Sequence, residues 1–362
     1  MEQPEVVQVG TARKGESGGS FWRRLLQSRE FGVFLALVGL VILMRFLTPY
    51  FWKPDNIFNV LRGMSTIGIM AIGQTMIIIT GGIDLSVGSV LAASAMITAR
   101  LMYTGVVSPW VAVLIGLGFG TLLGAINGLI ITRVKVTPFI ATLGMLSIAR
   151  GLAYLLASGL QGTVASNVPM RDESVNFLGA GYIGPVPFPV IEMFVLVIVF
   201  SLFLRFTVLG RQIYAVGSNE QAARLSGVSS DMVKLFVYTI TGTLAALSGI
   251  MTAGLLGTSA TNAGTGTELD VIAAVVIGGA SLAGGSGTII GSIIGAAIMA
   301  VLRNAFVLLQ FPIYMQTISI GLVIILAVAI DQIRRRSSEL ILCTARIGPA
   351  WQAGAWRRCP IP

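Results

Sequence analysis

The chain has 362 residues, of which 55% are hydrophobic and only 11% charged, whereas an ordinary soluble domain is about 25% charged. So few charges cannot cover a soluble surface for a chain this long, which excludes a soluble enzyme and points to a polytopic membrane protein. The absence of histidine excludes imidazole chemistry, and the two cysteines, Cys343 and Cys359, exclude a disulfide framework or a Cys-rich metal site.

Residues 1–30 read as a polar N-terminal segment (Glu2, Glu5, Arg13, Lys14) without the apolar run and small-residue site of a cleavable signal. The first apolar stretch follows Arg23, Arg24 and Arg29 and reads as an uncleaved first span. A helix needs about 20 apolar residues to cross the hydrocarbon core. Candidates lie near 31–48, 64–80, 84–104, 110–131, 138–157, 190–208, 232–257, 269–283, 286–308 and 313–331. That makes ten, or eight if the weak breaks at 80–84 and 283–286 are not real. Backbone groups cannot stay unpaired in lipid, and the period-2 pattern of a barrel is missing, so the spans are helices. The predicted fold is an all-α membrane domain over 31–332.

The net charge of +9 lies between the apolar stretches, where it orients a membrane protein rather than binding nucleic acid. Arg133, Lys135, Arg211, Arg224, Lys234, Arg334, Arg335 and Arg336 join the N-terminal basic residues on one side. Lys53, Arg62 and Arg171 fall on the other, with Arg100 and Arg303 near it. The bias predicts both termini in the cytoplasm and an even number of spans. The loop 158–189, rich in proline, is then external, and 209–231 is a cytoplasmic, amphipathic loop. The tail 333–362 carries no spanning stretch and has no assigned role.

Five motifs stand out along this frame. In Thr80-Gly81-Gly82-Ile83-Asp84-Leu85-Ser86-Val87-Gly88-Ser89 the glycines break one span, and Asp84 or Ser86 can cap the next helix or line a polar path. Arg150 lies deep in its span and must pair, with Asp84 as one candidate, either to hold the bundle together or to meet a ligand. Thr265 and Glu268 have capping-box spacing ahead of an apolar run, so either Glu268 or Asp270 is expected to cap; both could also meet a hydroxylated solute. Gly278-Gly279-Ala280-Ser281-Leu282-Ala283-Gly284-Gly285-Ser286-Gly287-Thr288 lacks the lysine of a phosphate loop and instead suits close packing or a break between half-helices. In the cytoplasmic loop, Ser218 or Asn219 can cap a short helix with Ala222, Ala223 and Leu225 as an apolar face and Gly227 as its end. Such a helix is either a connector or a docking element that needs a partner surface.

Gly81–Ser89, Gly210–Gly227 and Gly264–Gly287 together resemble the ribose-type monosaccharide permeases of ABC importers, over about residues 31–332. The resemblance implies a ten-helix importer fold with two related halves in a bacterial inner membrane. It implies cytoplasmic ATP-binding cassette subunits that use ATP and magnesium, a periplasmic or surface-tethered sugar-binding protein, and a second permease copy or sister permease. It places Gly217, Asn219, Glu220, Ala222, Arg224 and Gly227, in the segment that also holds Ala223 and Leu225, in the helix that couples to the ATPase.

The expected function is alternating-access import of a simple sugar, with no covalent chemistry, no metal and no cofactor bound by this chain. Candidates for the path are Gln74, Asp84, Ser86, Ser89, Asn127, Arg150, Glu268 and Asp270. The same machine could carry a nucleoside, a polyol or a branched-chain amino acid. In a different class, an ion-driven transporter would use Asp84, Glu268 and Asp270 as a relay.

Overall fold

The computed structural model describes residues 29–158 and 167–346. The predicted N-terminal segment up to residue 28 and the tail beyond 346, with Cys359, lie outside the described residues. The helices are α1 (Arg29–Leu47), α2 (Pro54–Ile79), α3 (Val87–Thr104), α4 (Pro109–Leu129), α5 (Pro138–Ala157), α6 (Glu173–Ala180), α7 (Phe188–Phe206), α8 (Val208–Ser218), α9 (Glu220–Leu225), α10 (Ser230–Leu256), α11 (Thr267–Ile277), α12 (Ile289–Leu308) and α13 (Ile313–Arg346). A π-turn over Ile130–Val134 extends α4. Pro54, Pro109 and Pro138 open α2, α4 and α5, where the missing N–H costs nothing and the fixed φ suits a helix start.

Among the described residues, eight helices are long and apolar enough to cross a membrane: α1, α2, α3, α4 with its π-turn, α5, α7, α10 and α12. Both weak breaks are real, because α2 stops at Ile79 and α11 at Ile277. The predicted span at 269–283 is corrected to an 11-residue helix, about 16 Å long and therefore roughly half a bilayer core. Gly279, Gly284, Gly285 and Gly287 follow it with positive φ, so the chain leaves the helix and passes through a loop before α12. The last predicted span lies in the longer α13, whose apolar part is Ile313–Leu326.

α2 is the central element, with nearly every residue from Met64 to Ile79 buried. It packs against α10, α12, α7 and α11. α4 meets α3 and α10 through Gly116, Gly120, Gly124 and Gly128, one per helical turn. A methyl group at Gly120 would strike Ala246 and the Gly242 carbonyl, so this stripe lets the backbones approach closely. Outward-facing Phe46, Leu114, Ile140, Leu155, Ile198, Leu202 and Leu322 are exposed, a pattern that suits lipid and not water.

The proline-rich segment is not one helix. The strand β1 (Asn167–Pro169) pairs antiparallel with β4 (Thr258–Ala260), placing Val168 opposite Ser259. Asp172 caps α6 by accepting the Val175 N–H at 3.0 Å. A short hairpin, β2 (Tyr182–Ile183) with β3 (Val186–Pro187), leads into α7.

Candidate functional site

The segment between α2 and α3 has no helix or strand and is held by α4, α5 and α10. Asp84 is 2% exposed. Its carboxylate accepts the Ser86 N–H at 2.7 Å and the Ser86 hydroxyl at 2.6 Å. Asn127 of α4 donates to Ser86 Oγ at 2.9 Å, and Thr142 of α5 donates to the Ile83 carbonyl at 3.3 Å. The buried Tyr238 of α10 sits against Gly82. Three predicted path residues, Asp84, Ser86 and Asn127, thus form one polar node. Ser86 holds the N-cap position of α3 without a side-chain capping bond, and Asp84 closes a local turn instead of capping.

Arg150 does not pair with Asp84. Its guanidinium donates to the carbonyls of Thr261 and Ala263 at 2.9 and 2.7 Å, tying α5 to the loop ahead of α11. That loop also touches the start of α3, since a methyl group on Gly88 would overlap the Gly264 carbonyl and Glu268 Oε2. The expected Thr265–Glu268 capping box does not form, because the N-cap is a glycine with no side chain to return a bond. Gly266, with φ of 79°, is the N-cap of α11; Glu268 accepts its N–H at 3.2 Å, and Thr265 donates to the Asn262 carbonyl at 2.7 Å. Asp270 neither caps nor faces the node. It is 1% exposed and forms an ion pair with Arg303 of α12. Gln74 of α2 and Ser89 of α3 are fully buried, and none of their side-chain polar atoms has a hydrogen-bond partner.

At the end of the bundle that carries α8 and α9, both broken helices meet. The Gly285 N–H donates to the Ile79 carbonyl at 2.8 Å, and the Tyr214 hydroxyl of α8 donates to the Gly287 carbonyl at 2.8 Å. Gly217 closes the junction, because a methyl group there would overlap the Ile79 carbonyl and crowd the Gly285 nitrogen. The end of α8 therefore rests on the loop after α2 and the loop after α11 at once.

Asn219, rather than Ser218, caps α9 by accepting the Ala222 N–H at 2.9 Å. Gly227 follows the helix with φ of 83°, the left-handed turn expected of a terminating glycine. The expected apolar face is split, however: Ala223 is buried, Ala222 is exposed, and Leu225 is 91% exposed. Ion pairs hold α9 from behind. Arg224 Nη2 reaches Glu220 at 2.9 Å and Asp231 at 2.8 Å, and Lys234 reaches Glu220 at 2.7 Å. Lys135 donates to both oxygens of Asp231 at 3.0 Å. Partial burial works against the Glu220 charge, but hydrogen bonds from Lys234 and Arg224 outweigh it and hold the carboxyl below its usual range.

This architecture agrees with the comparisons to known proteins. Residues 56–328 match the family described as branched-chain amino acid transport system / permease component. The chain belongs to this permease family. It is 40% identical over 308 residues to the ribose import permease RbsC of Bacillus subtilis (strain 168), covering 84% of this chain and 93% of that protein. It is 41% identical over 298 residues to RbsC of Escherichia coli (strain K12), with 82% and 92% covered. The D-allose transport system permease AlsC of Escherichia coli (strain K12) is 36% identical over 306 residues, with 84% and 92% covered. No solved structure matches.

In this permease several functional candidates escaped the sequence analysis. Asp231 and Tyr238 carry no motif, and Lys135, Lys234 and Arg303 entered only as topology charges. Glu192, in α7, has a buried oxygen without a hydrogen-bond partner; an acid inside an apolar span was the available signal. Among the described residues, no cluster of three His, Cys, Asp or Glu is placed to hold a metal ion.

Proposed function

We infer that the chain is the transmembrane subunit of an ATP-driven importer of a monosaccharide, working by alternating access. The observation that carries this is the junction of Gly217 with Ile79 and Gly285. A push on α8 and α9 reaches the ends of two broken helices through backbone contact, without a flexible side chain between. ATPase subunits would dock on α9, with Leu225 as its exposed apolar contact. Orientation follows from the basic bias, with both termini and α9 in the cytoplasm of a bacterium. A periplasmic or surface binding protein would deliver solute to the opposite end. A second copy, or a sister permease, would complete the channel.

The polar groups left for a solute suit hydroxyls. Gln74, Ser89 and the Asp84–Ser86–Asn127 node offer amide, hydroxyl and carboxylate partners, all able to hydrogen-bond a sugar hydroxyl. Arg150 is held by two carbonyls and Asp270 by Arg303, so neither is a free charge for an amino-acid cargo. Proteoliposomes with the candidate ATPase and binding protein, loaded with ATP and offered radiolabelled pentoses, hexoses and branched-chain amino acids, test the assignment. ATP-dependent uptake of one sugar, lost on Glu220→Ala in an intact assembly, is expected. Uptake that persists without ATPase and follows a proton gradient would overturn it.

A further inference from the structure

The cytoplasmic arm has a second connection to the bundle that the importer assignment does not require. α9 has only six residues, too few to be stable without support. Besides its cap, it is supported by Arg224, which is shared between Glu220 on α9 and Asp231 at the start of α10. Asp231 in turn takes both hydrogen bonds from Lys135. Lys135 ends the π-turn below α4 and starts the connection to α5.

Two features mark this turn as more than a connector. A π-turn is a rare helix form, frequent at functional sites. Lys135 also holds φ of 63°, a left-handed conformation unfavourable for a residue with a side chain. From this turn its ammonium reaches Asp231. The other end of α5 carries Arg150, which holds the Thr261 and Ala263 carbonyls ahead of α11. A continuous line therefore runs from Arg224 through Asp231 and Lys135 into α5, and from Arg150 to the loop that meets Gly88.

We propose that Lys135 and Asp231 are positioning residues of an ionic relay that ties movement of α9 to α5, in parallel with the backbone junction at Gly217. The Lys135 and Asp231 side chains are partly exposed, at 58% and 38%. Exposed pairs contribute little to stability and exchange with water readily. That weakness suits a contact that must break and re-form in each transport cycle. The proposal rests on the importer assignment, and the test separates the two.

The full complex in proteoliposomes, with ATPase and binding protein, is assayed for ATP hydrolysis and for uptake of radiolabelled D-ribose. Lys135→Gln and Asp231→Asn are expected to assemble and hydrolyse ATP normally while uptake per ATP falls several-fold. Lys135→Arg keeps the charge and should keep coupling. Lys135→Gly relieves the backbone strain but removes the charge, and should uncouple as fully as Lys135→Gln. Raising the salt should lower the wild-type ratio and leave that of Lys135→Gln unchanged. Normal coupling in Lys135→Gly would show that only the turn conformation matters and would overturn the relay, as would normal coupling in Lys135→Gln. Failure of Lys135→Gln to assemble while Lys135→Gly is normal would overturn it as well. A wild-type complex that takes up neither D-ribose nor any of the other pentoses and hexoses of the uptake panel would instead refute the importer assignment.

Discussion

Arg150 of α5 donates to the carbonyl of Ala263 at 2.7 Å across 113 residues of sequence. With the second bond to Thr261 it pins the loop before α11, and that loop packs on the first turn of α3 at Gly88. Hydrogen bonds to a charged group contribute about 1.5–3 kcal/mol each. Arg150→Ala should therefore lower thermal stability in detergent and reduce uptake. Both bonds leave one nitrogen, Nη1, so Arg150→Lys, which keeps the charge and three donors on a shorter side chain, should recover part of both. Unchanged stability in Arg150→Ala would show that the loop is held by other contacts.

Gln74 gives the opposite sign for stability. Both of its polar atoms are buried without a partner, and an unsatisfied buried group costs about 1–3 kcal/mol. Gln74→Leu should raise the melting temperature while lowering uptake. A variant that is more stable and transports normally would remove Gln74 from the path.

Gly217 tests the junction. Its α-carbon lies against the Ile79 carbonyl, with no room for a side chain. Overpacking of this kind costs about 1–3 kcal/mol. Gly217→Val should still insert but displace α8, so that ATP hydrolysis continues while uptake is lost. Coupled uptake at the wild-type rate would show that the junction does not transmit movement.

Glu220 sets an acid limit. Its folded-state pKa is lowered by Lys234 and Arg224 against the partial burial. A lowered value means that its contribution is present above the ordinary glutamate pKa, about 4.3. The contribution is then lost as the pH falls through the lower folded value. Hydrogen exchange of the α9 amides, corrected for intrinsic rate, should be flat near neutrality and rise in acid. Glu220→Gln should exchange fast at every pH and lose that acid step. An identical profile in both proteins would show that Glu220 does not hold α9.

Much of the membrane body was legible from local composition. Spans reveal themselves because lipid demands runs of apolar residues, and Gly81 with Gly82 announces a break because glycine leaves a helix easily. Asn219 and Gly227 framed α9 because caps act over three or four residues. The eighth predicted span failed for a related reason. Residues 269–283 are apolar enough, but hydropathy does not show where positive φ at Gly279 turns the chain out of the helix.

The sequence by itself determined an all-α membrane body, its broken helices and the short helix α9, since each follows from hydropathy and turn chemistry within a few residues. Only the tertiary structure decided which charges meet. It paired Arg150 with carbonyls and not with Asp84, gave Asp270 to Arg303, and joined Lys135 to Asp231. A buried or half-buried charge must find a partner, but its own residue type does not name one. The choice falls to whichever group the packing of distant helices brings within hydrogen-bond reach.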